Sequence, residues 1–229
     1  MWIRDWQLLV LCLLPITYYL IFHYLPMYGV QIAFKNYIAA RGITGSPWVG
    51  FKQFERFFNS YQFWPLIKNT LSLSLSQLIF GFPVPIFLAI MLNQLKHYKF
   101  KKFIQTVTYC PHFISIIVMT GMLYIFLSPR NGLVNLLMKA LGNETIFFLG
   151  DPAWFRPIFV LSGIWQNAGW NAIIYIAALA AISPDLYEAA QIDGANKFQI
   201  IRHIDIPGIL PTAIMMFILE IGKIMNIGF

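Results

Sequence analysis

The sequence has little charge and few cysteines. Only 11% of its 229 residues are Asp, Glu, Lys or Arg, whereas 59% are hydrophobic and 17% are aromatic. The two cysteines, Cys12 and Cys110, lie inside apolar runs, which argues against a disulfide framework and against a cysteine-ligated metal site. A soluble domain needs more polar surface than this, so a mean hydropathy of +0.66 favours a chain that lies in a membrane.

The sequence also lacks a cluster of catalytic groups. Its histidines, His23, His97, His112 and His203, are dispersed, and no ligand spacing typical of a metal site and no glycine-rich phosphate loop occurs. A membrane-embedded enzyme would need a converging nucleophile, an acid and base pair or a metal cluster. The sequence therefore predicts no catalytic residue, no metal site and no ATP hydrolysis by the chain itself.

Long runs without Asp, Glu, Lys or Arg follow one another along the chain. A helix needs roughly 20 apolar residues to cross a hydrocarbon core of about 30 Å. Arg4 precedes the first run, but no small-residue cleavage pattern follows it, so this run is predicted to be an anchor and not a removable signal. Spans are predicted near residues 7–33, 66–94, 103–127 and 157–182, with a fifth, shorter one near 211–227.

The second run contains LSLSLSQL, residues 71–78, which alternates as a half-buried strand would. An isolated strand in lipid would leave its backbone groups without hydrogen bonds, whereas a helix satisfies them internally. We therefore predict a helix here. Pro83, Pro85 and Pro111 predict kinks or broken turns in the second and third spans.

The 16 lysines and arginines are spread along the chain, with one dense cluster. This distribution favours a membrane surface over nucleic acid as the partner. The cluster indicates the cytoplasmic face and places the amino terminus inside, although seven basic residues fall on each predicted side. The cluster consists of Lys96, Lys99, Lys101 and Lys102. On the other side, two long loops rich in aromatic residues and proline are expected to be ordered, and residues 131–142 to form a short amphipathic helix.

A polar segment near the end of the chain predicts a short helix. Ser183 can cap it, Pro184 suits its first turn, and Asp185 and Glu188 complement the helix dipole. The helix is expected to run from Pro184 to about Ile192.

A second short helix is expected directly after the first. Gly194 can adopt the positive φ that ends the first helix, and Asn196 can cap the next one. The second helix is expected to run through His203 and to end at Pro207.

The exposed chemistry of this polar segment allows two interpretations. Ala189 and Ala190 give a smooth patch that can enter a partner's groove, and Glu188 and Asp193 can receive basic groups. Alternatively, the segment is an ordinary loop between spans whose charges remain in water. Physical reasoning alone leaves both open.

Particular motifs resemble one family of transporters. Glu188-Ala189-Ala190, Asp193-Gly194-Ala195 and the closing Ile204, Ile206 and Pro207 resemble the EAA loop of permease subunits from ATP-binding-cassette (ABC) importers, with Ile206 where leucine is usual. HYLPMYG, FKNY, GFKQFERFF, YCPHFIS, LSPRNGLVN, GWNAIIYIAALAAI and IMNIGF resemble the sugar-importer permeases of the lipo-oligosaccharide and polysaccharide type. The resemblance extends over nearly the whole chain.

The resemblance implies an all-α fold, a polytopic transmembrane helix bundle of the type I ABC importer permease kind. It implies one domain over residues 1–229 with an EAA coupling loop at 183–210. Members usually have six spans and five are found, so the chain is expected to be a fragment or to be shorter by about one span. The implied docking residues for the ATPase are Glu188, Ala189, Ala190, Asp193, Gly194, Ala195 and Pro207.

The resemblance also implies the partners. A second permease subunit, two cytoplasmic ATP-binding subunits and an extracytoplasmic solute-binding protein are expected, in the cytoplasmic membrane of a bacterium. This chain is expected to bind no cofactor, with ATP and Mg held by the partner ATPases. The implied function is ATP-driven import of sugars derived from oligo- or polysaccharides.

The fourth span has a polar stripe of candidate pathway residues, Gln166, Asn167, Trp170 and Asn171. Amides and an aromatic ring suit sugar hydroxyls and pyranose faces. Packing between helices, with the amides bonded to a neighbouring span, is the alternative and the favoured interpretation of the stripe.

The last span carries Glu220, Lys223 and Asn226. The two charges either neutralise each other or face an aqueous route together with Asn226. Glu220 is also the feature on which an alternative function, an ion-coupled secondary carrier, depends.

Overall fold

The computed structural model of the chain describes residues 6–225, which are mainly helical and include an isolated antiparallel β-bridge between Lys35 and Trp48. The predicted all-α fold is confirmed. The chain divides after Ile67 into two compact units, which are described separately.

The helices are named in chain order. Two short helical turns, Ala39–Arg41 and Gly42–Gly45, lie between the first two helices. The helices are α1 Trp6–Phe34, α2 Lys52–Phe58, α3 Phe63–Asn93, α4 Tyr98–Phe113, α5 Ile116–Phe126, α6 Leu133–Ala140, α7 Pro152–Ala180, α8 Pro184–Ile192 and α9 Lys197–Gly222.

Several of these helices are long and apolar enough to cross a membrane. Within the described residues, α1, α3 and α9 qualify alone. Two bent pairs qualify if each is counted as one broken span: α4 with α5, bent by 101°, and α7 with α8, bent by 71°. The part of the chain that the structure describes therefore has between three and five candidate spans.

In the first unit, the segment after α1 folds around Trp48. Phe34 stacks on Trp48 with ring centroids 5.7 Å apart, and Lys35 Nζ lies 5.8 Å from the Trp48 ring centroid. Ser46 is buried, and its hydroxyl accepts from the Ile38 amide at 3.0 Å. An ordered aromatic loop, as predicted, is confirmed.

The second long loop, between α5 and α7, is ordered by a buried amide. Asn135 on α6 donates to the Ser128 carbonyl at 3.1 Å and the Ile146 carbonyl at 3.0 Å, and accepts from the Ile146 amide at 2.8 Å. It thereby satisfies backbone groups on both sides of α6. The predicted short helix in this loop is confirmed as Leu133–Ala140.

Helix α3 includes the alternating LSLSLSQL segment, so the prediction of a helix there is confirmed. Ser76 donates to the Ser72 carbonyl at 2.7 Å, one turn back. A π-helical turn at Gln77–Gly81 comes directly before Pro83. Because proline has no N–H and its ring crowds the carbonyl one turn back, a local shift of hydrogen-bond register lets the helix continue.

The predicted broken turn at Pro111 is confirmed. Residues Cys110–Phe113 form a 3-10 turn, Ile114 is extended, and a new helix begins after Ser115. The Ser115 hydroxyl caps this helix by accepting from the Val118 amide at 3.4 Å.

The prediction that Pro207 ends the helix capped by Asn196 is wrong. That helix continues to Gly222, and a π-helical turn at Ile201–Asp205 precedes the proline. Pro207 therefore lies in the first turn of a regular α-helical stretch, where the absent N–H costs little. The same arrangement of a π turn before a proline occurs in α3.

The core of the second unit lies where α3, α7 and α9 meet. Its buried residues include Ala89 on α3, Ala172 and Leu179 on α7, and Ile209 on α9. Many large apolar side chains on the outer faces are exposed, as expected for surfaces that lie against lipid or other subunits.

Gly169 allows α7 to cross α4 closely. A Cβ at this position would overlap the backbone carbonyl of Thr108, and a backbone atom cannot move aside as a flexible side chain can. We expect Gly169→Ala to destabilise the protein by about 2 kcal/mol, the usual cost of overpacking. Thermal unfolding of the detergent-purified chain measures this. Gly121→Ala is the control, because a Cβ at Gly121 meets no atom within 4 Å; equal melting temperatures for both variants would contradict the prediction.

Candidate functional site

The first candidate site is built on α8 and the turn after it. The Ser183 hydroxyl accepts from the Asp185 amide at 3.3 Å, and Pro184 occupies the first turn. Gly194 has φ of +76°, as predicted for the residue that ends this helix. The predicted helix over Pro184–Ile192 is confirmed.

A reciprocal capping box starts α9. The Asn196 side chain accepts from the Gln199 amide at 3.0 Å, and the Gln199 side chain accepts from the Asn196 amide at 2.8 Å. The predicted cap is thus confirmed. Two caps and one glycine fix the direction in which the chain leaves α8 and enters α9.

The residues predicted to dock the ATPase are largely accessible. Glu188, Ala189, Asp193 and Gly194 are exposed, while Ala190 and Ala195 are half-buried. Pro207 is exposed too but lies on α9. The small and acidic side chains of α8 thus present a surface that a partner's groove can cover.

The opposite side of α8 is held by Tyr187. Its hydroxyl donates to Asp205 Oδ1 at 2.7 Å. Burial, and then the hydrogen bond to the Asp205 carboxylate, raise the pKa of Tyr187 to about 12, so this hydroxyl remains a proton donor. One face of α8 is therefore anchored to Asp205, while the face with Glu188 and Ala189 is exposed.

The second candidate site is a cavity of about 90 Å³ between α3, α7 and α9. Its lining mixes amides, a hydroxyl, a phenol and a pair of opposite charges with apolar walls. Sites for polar small molecules combine such groups in this way. Its lining residues are Ser74, Gln77, Leu78, Gly81, Phe82, Pro85, Asn171, Tyr175, Met216, Glu220, Lys223 and Ile224.

The side-chain amide of Gln77 lacks a hydrogen bond in the described part of this cavity. Its Oε1 is buried and has no hydrogen-bond partner among residues 6–225. Gly81 makes room for the amide, since a Cβ at this position would lie 2.8 Å from Gln77 Nε2. A buried acceptor without a donor is costly, so a hydroxyl or amide N–H from a bound molecule would be stabilised here.

The charged pair lies at the open side of the cavity. Lys223 Nζ and Glu220 Oε1 are 3.2 Å apart, and the side chains are 63% and 42% exposed. The two charges thus pair with each other, and both line the cavity, while the aqueous route stays a prediction. The third predicted residue of this group, Asn226, lies outside the described residues.

The polar stripe of the fourth span divides between two environments. Gln166 donates to the Ile114 carbonyl at 2.7 Å, Asn167 Oδ1 lies 3.0 Å from His112 Nδ1, and Trp170 stacks on His112 with centroids 4.5 Å apart. These three residues pack against the break between α4 and α5. Asn171 instead lines the cavity.

Sequence reasoning missed the residues that complete both sites. Gln77 and Tyr175 line the cavity, and Asp205 and Tyr187 anchor α8. The available signals were a lone amide inside an apolar run, four residues before Gly81, and a lone acid between Ile204 and Ile206. Each is a polar group at a depth where burial is costly unless it has a function or a partner.

A bundle of helices long enough to span a membrane, with an exposed acidic and alanine-rich short helix and a cavity lined partly by amides, hydroxyls and charges, is typical of a membrane transporter. Residues 68–227 match the family described as "Binding-protein-dependent transport system inner membrane component". The chain belongs to this family, whose members are permeases of ABC transporters.

The comparisons identify similar proteins over almost the full chain. The chain is 45% identical over 222 residues to the polygalacturonan/rhamnogalacturonan transport system permease protein YteP of Bacillus subtilis, covering 96% of this chain and 69% of YteP. It is similar, with TM-score 0.91 and 44% identity, to a chain in the crystal structure of a bacterial ABC transporter involved in import of the acidic polysaccharide alginate, covering 100% and 76% of the two chains.

A second structure of such a transporter, in complex with an alginate pentasaccharide-bound periplasmic protein, matches with TM-score 0.90 and 44% identity, covering 100% of this chain and 75% of that chain. The predicted type I ABC importer permease fold is confirmed. None of these comparisons supports the alternative of an ion-coupled secondary carrier.

Proposed function

We propose that this chain is one of two permease subunits of an ATP-driven importer of oligosaccharides. It spans the cytoplasmic membrane of a bacterial cell several times. Two cytoplasmic subunits bind ATP and Mg and dock on the segment 183–210, and an extracytoplasmic solute-binding protein delivers the sugar. The observation that carries the proposal is the exposed face of α8, whose helix is anchored to the bundle that holds the polar cavity.

The exposed face of α8 has small side chains and a carboxylate that suit docking of an ATPase subunit. Ala189 and Ala190 lose no side-chain entropy when a groove covers them, and Glu188 supplies a carboxylate for a basic group. Closure of the ATPases on ATP displaces the docked helices. A bundle with two arrangements then turns its cavity from one face of the membrane to the other.

The cavity has groups that suit a sugar. Gln77 and Asn171 offer amides, Ser74 and Tyr175 offer hydroxyl groups, and Glu220 accepts hydrogen bonds. The similarity to transporters of alginate and of polygalacturonan or rhamnogalacturonan supports oligosaccharides as the substrate class. Gln166, Asn167 and Trp170 contribute by holding the α4–α5 break against α7, one turn from Asn171.

The substrate class is tested with the assembled importer and its solute-binding protein in lipid vesicles. Labelled oligosaccharides are expected to be taken up and to stimulate ATP hydrolysis, and the corresponding monosaccharides to do neither. Equal transport of amino acids or peptides, with no response to any oligosaccharide, would contradict the proposal.

Gln77→Leu is expected to raise the KM for uptake about fivefold, because one hydrogen bond to the sugar is lost while the other polar groups of the cavity are kept. Initial uptake rates over a range of sugar concentrations measure this. Gln62→Leu is the control, since Gln62 is exposed and lies in the first unit. An unchanged KM for Gln77→Leu would exclude this amide from the sugar site.

A further inference from the structure

Among residues 6–225, Asp205 is the one charged side chain that is completely buried. Its exposed fraction is 0%, and it lies in the π-helical turn of α9, between Ile204 and Ile206. Transfer of a carboxylate out of water is costly unless hydrogen bonds or a cation compensate. A buried acid in an apolar segment therefore has a role that outweighs this cost.

Neutral donors from two other segments compensate the Asp205 carboxylate. Tyr187 on α8 and Asn93 at the end of α3 donate to Oδ1 at 2.7 and 3.3 Å, and Gln94 donates to Oδ2 at 2.7 Å. Asn93 Nδ2 also lies 3.4 Å from the Tyr187 hydroxyl. Within residues 6–225, no lysine, arginine or histidine nitrogen lies within 4.0 Å of this carboxylate.

The Asp205 carboxylate accepts hydrogen bonds from these other segments and none from its own helix. Asp205 precedes the α-helical part of α9, yet its side chain accepts no backbone hydrogen bond there. All its side-chain bonds lead to α8 and to the end of α3. Asp205 thus joins three segments at one point on the cytoplasmic side of the bundle.

We propose that Asp205 is a positioning residue that fixes α8 to the end of α3, so that displacement of α8 by the ATPase moves α3 and α9 together. This inference rests on the proposed function. It assigns to Asp205 the transmission of movement, distinct from the docking surface on the exposed side of α8 and from the sugar-binding groups in the cavity.

Helix α3 provides the connection from this point to the cavity. It runs without a break from Gln77, which lines the cavity, to Asn93, which bonds to Asp205. At a rise of about 1.5 Å per residue, Gln77 and Asn93 are about 24 Å apart along the helix. Ala89 and Leu92 are buried along this stretch, so the helix is held by packing and is expected to move as a rigid body.

A second contact ties α9 to the segment before α8. Gly208 lies against the Ile182 side chain, and a Cβ at this position would overlap it. Ile182 itself packs on the core of α3, α7 and α9. The chain on both sides of α8 is therefore in contact with the same core, and the Asp205 hydrogen bonds set the angle at which α8 leaves it.

The test compares sugar imported per ATP hydrolysed in the full importer reconstituted in vesicles. Asp205→Asn keeps the shape but places an amide N–H against a donor. It is expected to leave ATPase recovery unchanged and to lower the sugar imported per ATP about fivefold, as expected when one or two hydrogen bonds are lost. Asp151→Asn is the matched control: it is the same substitution at an exposed residue outside segment 183–210, and asparagine keeps the cap of α7, so wild-type coupling is expected.

Tyr187→Phe provides a second and milder variant, which decides the matter if Asp205→Asn fails to assemble. It is expected to lower the same ratio, and the double variant to be no worse than the stronger single one, because both remove one shared interaction. Wild-type coupling in Tyr187→Phe, or loss of assembly in both variants, would overturn the inference and leave Asp205 as a structural anchor only.

Measurements on the wild-type importer distinguish failure of the inference about Asp205 from failure of the proposed function. If wild type imports sugar with ATP but the variants keep its coupling ratio, the inference about Asp205 fails and the proposed function stands. If wild type binds no ATPase and imports no sugar, the proposed function fails and the inference fails with it.

Discussion

Gly194→Pro combined with Glu188→Ala is expected to remove the cytoplasmic ATPase from the purified importer. Gly194 has φ of +76°, which proline cannot adopt, and its amide donates to the Gln191 carbonyl at 3.1 Å, which proline cannot do. The turn between α8 and α9 would therefore open. Together with the lost carboxylate this is expected to weaken docking about 100-fold, since proline at an incompatible position costs about 3 kcal/mol.

The measurement is recovery of the ATPase after affinity purification of the permease chain at matched expression. Gly142→Pro combined with Glu144→Ala is the control. Gly142 has φ of +81° and donates to the Lys139 carbonyl at 3.0 Å, so the same kind of turn is broken in the loop between α6 and α7, outside segment 183–210. Equal loss of the ATPase from both double variants, or from neither, would contradict docking at α8.

Glu220→Ala is expected to lower sugar uptake about thirtyfold while the importer still assembles, because hydrogen bonds to a charged acceptor contribute more than those to a neutral one. The substitution also leaves Lys223 without its partner at the open side of the cavity. Uptake by cells with equal amounts of the variant and of wild type in the membrane measures this effect.

Two further variants show whether the loss of uptake in Glu220→Ala comes from the hydrogen bond, from the charge or from removing any exposed acid. Glu220→Gln retains an acceptor and is expected to keep part of the uptake, which separates hydrogen bonding from charge. Glu55→Ala lies in the first unit and is expected to behave as wild type. Normal uptake by a well-expressed Glu220→Ala protein would exclude Glu220 from the sugar pathway.

The polar segment shows how far local patterns determine structure. Its Ser183 cap, its proline, its positive-φ glycine and its Asn196 cap are all short-range features, and the structure has each where the sequence predicts it. Their geometry depends on neighbours within a few residues. This is why a helix from Pro184 to about Ile192 could be predicted from the sequence.

The prediction that a helix ends at Pro207 is wrong because contacts between residues distant in sequence decide the structure there. A proline ends a helix when the hydrogen-bond register is fixed, but a π-helical turn at Ile201–Asp205 changes the register beforehand. That turn coincides with burial of Asp205 against Tyr187 and Gln94, partners distant in sequence. A tertiary contact of this kind is not visible in a local pattern.

The cavity could be predicted only in part. Asn171, Glu220 and Lys223 were expected on the pathway and line the cavity, whereas Gln166, Asn167 and Trp170 pack against the α4–α5 break. Residues three and four apart share one face of a helix, but that face passes two neighbours along its length. Which amide meets which neighbour depends on the crossing of α7 over α4 at Gly169. Assignment of any of these residues to sugar transport remains a proposal.

The most direct test of the account is sugar uptake by vesicles that contain the importer with its ATPases and solute-binding protein, under two energy sources. With ATP on the ATPase side and no ion gradient, we predict uptake of labelled oligosaccharide that stops when ATP is replaced by a non-hydrolysable analogue. Uptake by this chain without ATPases, driven by a proton or sodium gradient and unaffected by ATP, would contradict the account.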